Sequence, residues 1–458
     1  MLSQEKAARI RLLSFSTPPM RAFHMAWMAF FLCFFAWFGI APLMAIVREE
    51  MQLSRQQIGW CLIGSVAITI FSRVAVGWIC DRLGPRLTFT WLLILGSLPV
   101  MGIALADNFA TFLLFRVLIG AIGGAFVVTQ YHMSVMFAPN CVGTANAATA
   151  GWGNLGGGVT QMAMPLVFAF FVTVLGLSDA ASWRLAMVAA GVLCAAAGVA
   201  YYLLTQDTPT GNYRELRAAG KLPPSRSSQG AFLEACRDRR VWALFAIYGA
   251  CFGIELTIHN VAVLYFVDYF AELKQMSPAS AMTTAGLIAG LCGSMNLFAR
   301  ALGGMFGDRC GKRWGLSGRV KLLFLVLLAE GMSLMLFSQT TTLALAIPAL
   351  IVFSLFVDMS CGATFAVVPF INRRALGSVT GIVGAGGNVG AVAAGFLFKY
   401  EGLDWSTALF LVGAMVTACS FLSFVVTFSS EAEVAARTSL AALSPEPPRA
   451  VELAGASA

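Results

Sequence analysis

Two arginines stand inside stretches apolar enough to cross a bilayer, and each opens the same pattern. RVAVGWICDRLGPR runs from Arg73 to Arg86 and RALGGMFGDRCGKR from Arg300 to Arg313; both read R-x-x-x-G-x-x-x-D-R-x-G-x-R. An arginine in hydrocarbon is costly, so it marks a functional site by default. Guanidinium is planar, permanently charged and offers parallel N–H donors that match two oxygens of one anion, whereas lysine supplies the charge without that geometry. Two of them at matched places in two repeats point to a central anion site. The opposing reading, that each pairs with a buried carboxylate, finds no acid within one helical turn of either arginine.

These side chains need helices to hold them. Only 11% of the 458 residues are charged and 59% are hydrophobic, with mean hydropathy +0.79; a soluble domain carries roughly 25% charged residues. Twelve apolar stretches are long enough to span: 24–47, 57–80, 87–106, 109–137, 143–176, 184–205, 240–270, 279–307, 319–338, 342–370, 376–399 and 405–428. A backbone without water to bond must be helical there, so an all-α membrane protein is expected. The first stretch is too long for a cleavable signal peptide and lacks a small-residue cleavage site. Asp81 lies eight residues after Arg73, which places Arg73 about 12 Å deeper along a helix, near the middle of a core about 30 Å thick. Arg300 has the same spacing to Asp308.

The net charge of +8 is no sign of nucleic-acid binding, because the basic residues sit in alternate loops. Lys6, Arg9, Arg11 and Arg21 precede span 1, Arg82 and Arg86 follow span 2, and Arg214 to Arg240 cluster between spans 6 and 7. Arg309 to Lys321 follow span 8, and Arg373 and Arg374 precede span 11. The positive-inside rule puts that face, with both termini, in the cytoplasm. The eleven cysteines lack metal spacing and read as small packing residues. His24, His132 and His259 form no ligand cluster, so no metal and no cofactor are expected.

The chain divides into a cytosolic N-terminal segment (1–23), a six-span bundle (24–205), a polar linker (206–239), a second six-span bundle (240–428) and a tail (429–458) expected to lack regular structure. Arg300 follows Arg73 by 227 positions, and Asn388 in GAGGNVGA follows Asn154 in AGWGNLGGG by 234. Two parallel repeats about an axis along the membrane normal suit alternating access.

At this point a resemblance becomes specific. GWICDRLGPR resembles the loop 2–3 signature of the major facilitator superfamily, Gly304 to Arg313 its weaker second copy, and RVLIGAIGG from Arg116 its helix-4 motif. AATAGWGNLGGG and GIVGAGGNVG resemble the two nitrate signatures of the nitrate/nitrite porter family. SRVAVGWICDRLGPR, NLFARALGG and RRALGSVTGIVGAGGN are similar to its high-affinity nitrate branch. The resemblance covers residues 24–428 and implies the major facilitator fold, two pseudo-symmetric bundles of six helices, carrying nitrate and nitrite.

Nitrate is planar, trigonal and monovalent, as two facing guanidiniums require. Asparagine amides can donate to it without adding charge, and the resemblance implies Asn154 as a contact and Asn388 as a site or gate element. Helix packing is the alternative for both. Phe126 matches the family position that packs on the ion. Its equivalent on span 7 is Tyr248, where better-known bacterial relatives carry phenylalanine; Phe245, a turn earlier, is the alternative. Phe34, Trp37 and Phe38 are further lining candidates. Asp81, Arg82, Arg86, Asp308, Arg309 and Arg313 stand at helix ends and read as latch residues that separate when the halves rock. Glu255 and Asp358 are candidates for proton coupling, with pairing as the alternative, and Glu330 on span 9 faces elsewhere. Proton-linked uptake through a bacterial plasma membrane is the expectation. Nitrate/nitrite exchange, a transporter-like nitrate sensor and a carrier of a larger anion are the other readings.

Overall fold

In the computed structural model, which describes residues 6–221, 229–276, 278–399 and 403–441, helices start where the sequence supplies caps. Pro18 opens α1 (Pro18–Phe38), since a first-turn proline forfeits no hydrogen bond. Ser54 and Gln57 form a reciprocal capping box at α2 (Arg55–Leu83). Gly84, at φ 86°, turns the chain directly into α3 (Pro85–Gly102). Asn108 caps α4 (Phe109–Met136), which tightens to a 3-10 turn at Ala121–Gly124. Then come α5 (Val142–Thr173), α6 (Asp179–Leu204) and α7 (Arg239–Tyr269), the last capped by Asp238.

The next apolar run, Thr284–Ser338, covers 55 residues. Unbroken, it would be about 80 Å long, against a hydrocarbon core of about 30 Å. Gly315 breaks it, at φ 73° and ψ −159°. The run is therefore two spans, α8 (278–314) and α9 (316–338), with a 3-10 turn at Met295–Leu297 just ahead of Arg300. Following them are α10 (Leu343–Val367), α11 (Leu376–Lys399) and α12 (Trp405–Ser420). The result is an all-α membrane protein of twelve spans.

Of the boundaries that differ from expectation, two have a clear physical cause. The stretch 24–47 begins six residues earlier, at Pro18, and its helix ends at Phe38. A 3-10 turn at Ala41–Leu43 and a short helix Met44–Met51 follow, because Pro42 has no N–H to continue α1. The tail, expected to be irregular from Ser429, is helical over Ser430–Ala441. Glu433 supplies the reason: it accepts from the backbone N–H groups of Leu316 (2.9 Å) and Ser317 (2.7 Å) and from the Ser317 hydroxyl, and so caps α9. Partial burial works against its charge, yet these donors hold the carboxyl below its usual range. Residues 222–228 of the linker and 442–458 of the tail lie outside the described residues.

Packing repeats between the halves. α1 lies on α5 and α3 on α6, just as α7 lies on α11 and α9 on α12. Two seams join the halves: α2 against α11, and α5 against α8 and α10. Both need glycine. A Cβ on Gly77 of α2 would stand 2.2 Å from the Gly377 carbonyl oxygen of α11, and one on Gly304 of α8 would stand 2.2 Å from that of Gly143 on α5. Each glycine lies four residues after its arginine, so close backbone crossing and the arginine's inward aim are set by the same turn of helix.

Candidate functional site

Arg73 and Arg300 converge on the centre of the bundle. Both are essentially unexposed, at 0% and 1%. Both meet one ring, Phe252 of α7, with guanidinium carbons 5.2 and 5.6 Å from its centroid. Arg73 also stands 5.1 Å over Phe126 of α4. Its Nη1 donates to the Gly384 carbonyl of α11 at 2.5 Å and its Nε to Gly123 at 3.4 Å. Its Nη2 has no partner among the described residues.

Arg300 is held differently. It forms an ion pair with Glu255 of α7 and a second with Asp358 of α10, Nε to Oδ1 at 3.4 Å. The expectation that neither arginine meets a carboxylate therefore fails for Arg300. Its acids lie on other helices, 45 and 58 positions away in sequence, out of reach of a search within one turn. In the first half, α1 and α4 carry no Asp or Glu, so Arg73 has no counterpart to this pairing. Asn296, one turn before Arg300, donates to Glu255 Oε1 at 2.8 Å. Asn154, with its amide oxygen turned to the guanidinium, accepts from Arg300 Nη1 at 2.7 Å and Nη2 at 3.2 Å.

An aromatic cluster fills the space between. Phe126 and Tyr248 stack across the halves at 5.7 Å, and Phe252 lies parallel to both, at 6.3 and 5.3 Å. Phe365 of α10 closes edge-on, 4.9 Å from Phe126 and 5.0 Å from Tyr248. Tyr248, the expected partner of Phe126, thus faces it, while Phe245 turns to the α2–α11 seam. A flat anion between two ring faces needs about 7 Å, twice a van der Waals contact, and these spacings are smaller. The Tyr248 hydroxyl and both amide atoms of fully buried Asn388 have no hydrogen-bond partner among the described residues. Unpaired buried polar atoms are rare, and Arg73 Nη2 is likewise unpaired among the described residues. Asn388 is one turn beyond Gly384, which holds Arg73, and next to Gly387, which abuts Tyr248 and Phe252.

Of the six latch candidates, the two aspartates bridge the halves, at the end of the bundle that carries both termini. Asp81 accepts from Gly377 N (2.8 Å), Ser378 N (2.9 Å) and Ser378 Oγ (2.7 Å) at the start of α11. Asp308 accepts from Gly143 N (3.0 Å), Thr144 N (2.7 Å) and Thr144 Oγ1 (2.7 Å) at the start of α5. Each carboxylate thus caps a helix N-terminus of the opposite half, where orphan N–H groups and the helix dipole favour it. The four arginines lie along their own halves. Arg82 stacks on Trp78 at 3.6 Å and Arg86 on Tyr202 at 4.1 Å; Arg309 and Arg313 lie over Phe306 and Trp314. A cation that does cross is Arg319, which donates to Asp308 (2.8 Å) and to the Pro139 carbonyl (2.5 Å).

Phe252, Phe365, Asn296 and Arg319 were not singled out from sequence. Tyr248, Phe252 and Glu255 stand at i, i+4 and i+7 of one helix, a spacing that puts them on one face. Asn296 is likewise one turn from Arg300. Glu330 of α9 is fully buried. Trp37 and Phe34 are buried on α1 and Phe38 is half-buried; Trp37 donates to Ser65 at 2.7 Å within the first half.

The Major Facilitator Superfamily model matches residues 26–395. High affinity nitrate transporter 2.5 of Arabidopsis thaliana is 38% identical over 91% of this chain and 82% of its own length. The nitrate/nitrite transporter NrtP of Nostoc punctiforme is 28% identical over 90% of this chain and 93% of its own. Among solved structures, the proton:xylose symporter XylE superposes with TM-score 0.65 over 93% of this chain and 99% of that one, at 14% identity.

Proposed function

The chain belongs to the nitrate/nitrite porter family of the major facilitator superfamily, and from that membership we propose that it carries nitrate, with nitrite as a second substrate, across the membrane by alternating access. It is a transporter and not an enzyme. The observation that carries the substrate reading is the pair Arg73 and Arg300 against one ring, Phe252, with Arg73 Nη2, the Tyr248 hydroxyl and the Asn388 amide unpaired among the described residues. A small oxyanion supplies acceptors for all of these donors at once. Asn154 and Phe126 complete its surroundings. Because the rings are too close to admit the ion between their faces, nitrate sits at their edges, between the guanidiniums.

Charge supports proton-linked uptake. With their ordinary charges, Arg73, Arg300, Glu255 and Asp358 sum to zero, so an empty site carries no net charge to resist its return. Nitrate adds one negative charge and must compete with Glu255 for the Arg300 fork. A proton on Glu255 or Asp358 restores neutrality and frees the fork, so anion and proton travel together. The second reading is nitrate/nitrite exchange. It is favoured by Arg73, whose charge has no carboxylate beside it among the described residues and is best balanced when an anion is always present. Asp81 and Asp308 act as the latch of the closed end. The basic residues concentrated there support its facing the cytoplasm.

Counterflow in proteoliposomes tests the proposal. Vesicles are loaded with nitrate, nitrite or neither, and a pH gradient is imposed or withheld. Acid-driven nitrate accumulation is the expected result. Brisk counterflow without acid-driven accumulation replaces symport by exchange, and absence of both overturns the nitrate reading.

A further inference from the structure

A groove of about 560 Å³ runs along the α2–α11 seam, outside the central site. Phe71 and Trp78 of α2 wall one side, Ile382 and Val389 of α11 the other; Trp242 of α7 and Phe232 of the linker helix Gln229–Arg237 close its end. The lining is almost wholly apolar and the groove faces outward from the spans, so hydrocarbon is its natural filling. Its end is basic. Arg82 lies flat on Trp78 at 3.6 Å, forms no ion pair among the described residues, and its Nε has no acceptor. Arg237 and Arg239 are exposed and follow Cys236, another lining residue, by one and three positions. The nearby acid Asp238 is taken by Arg240, at 2.6 and 3.0 Å.

We infer that this groove binds one anionic phospholipid, with an acyl chain along the seam and its phosphate among Arg82, Arg237 and Arg239. An apolar slot ending in three guanidiniums that form no ion pair among the described residues complements such a lipid at both ends. Guanidinium matches phosphate oxygens in pairs, and basic residues at an anionic surface attract such headgroups. A zwitterionic lipid fills the slot equally well but gains less from the arginines. Since the groove is walled by α2 on one half and by α7 and α11 on the other, its occupant spans the seam at which Asp81 holds the halves together.

The test is lipid retention, read by native mass spectrometry of the full chain after exchange into equal amounts of phosphatidylglycerol and phosphatidylcholine. It needs no nitrate and is independent of the transport reading. Wild type is expected to retain one phosphatidylglycerol in preference to phosphatidylcholine. Arg237→Gln and Arg239→Gln should each lower that retention roughly fivefold, and Arg82→Gln at least as much. Ala75→Trp, which fills the groove from α2, should abolish it, with the thermal midpoint as the check on folding. Arg237 and Arg239 are at the surface, so their variants decide the matter if Ala75→Trp folds poorly. Equal retention of the two lipids, or unchanged retention in the arginine variants, overturns the inference.

Discussion

Arg300 and Glu255 form a buried ion pair at the centre of the bundle, whereas Arg73, which occupies the same place in the first repeat, meets no carboxylate among the described residues. The repeat is symmetric in its cations and asymmetric in its anions. Such an arrangement gives the two arginines different work. On the proposed reading Arg73 offers a free donor at rest, and Arg300 is to be released from an internal partner before its fork closes on a substrate.

Replacing either arginine by lysine should therefore weaken nitrate binding by different routes. Arg73→Lys loses at least one charge-assisted hydrogen bond worth about 1.5–3 kcal/mol, or roughly 10- to 100-fold in affinity. Arg300→Lys keeps a cation for Glu255 but not the fork that also reaches Asn154 and Asp358. Isothermal titration on folded protein checks both. Wild-type affinity in Arg73→Lys would mean that the free Nη2 faces no substrate.

Tyr248→Phe deletes a hydroxyl that has no partner among the described residues. A hydroxyl that meets only the anion should be missed only on binding, at about 1 kcal/mol or roughly fivefold in affinity, with thermal stability unchanged. Phe126→Ala should weaken binding too, and should loosen selection against larger anions by opening the aromatic wall. If Tyr248→Phe binds as wild type, the ion lies away from that ring.

Glu255→Gln should uncouple nitrate accumulation from a pH gradient while sparing exchange at equal pH. The amide retains the shape and a hydrogen bond to Arg300 but takes up no proton. Truncating a buried pair to one charge costs about 3–5 kcal/mol, so stability must be measured alongside; Asp358, still beside Arg300, limits the loss. Full acid-driven accumulation in this variant would assign Glu255 a pairing role alone.

Asp81→Asn weakens the cap on α11 and should raise the population open at that end. Spin labels at the ends of α4 and α10 that adjoin it should report longer distances. The same change at Asp308 should act more strongly, because Arg319 then loses its acid partner as well. Shorter or unchanged distances in both variants would exclude a latch.

Docking of the tail helix should depend on pH through Glu433. Its carboxyl, ordinarily at 4.5, is lowered when docked, so the docked state binds fewer protons than the released one. The stabilisation is complete above the ordinary value and disappears as pH falls through the lowered one. Hydrogen exchange over 430–441 should rise on acidification in wild type and be fast at all pH values in Glu433→Gln. Equal protection in the two proteins would mean that the carboxylate does not hold the tail.

The fold was largely legible, since apolar runs and a repeated arginine pattern determine spans and symmetry without any knowledge of packing. Gly315 also marks its turn, because one unbroken helix could not fit a bilayer. The centre was legible in part. Arg73 and Arg300 could be placed by helical rise from Asp81 and Asp308, but the acids on Arg300 belong to α7 and α10, and no local spacing connects them. Phe252 was within reach, on the same face as Tyr248 and Glu255. The tail helix was not: its order depends on Glu433 meeting Ser317, 116 positions away. The arginines of the repeated pattern look equivalent to the aspartates beside them in sequence, and only their stacking on Trp78, Tyr202, Phe306 and Trp314 separates the two roles.

The two caps at the closed end are matched in geometry but unequal in strength. Asp308 is braced by Arg319, which also grips Pro139, while Asp81 has three donors from α11 and no such brace among the described residues. If the caps are the latch, the halves are expected to part first along α2 and α11, with the braced contact between α5 and α8 as the hinge. Two equal caps would open like a pair of doors; unequal ones predict a swing on one side.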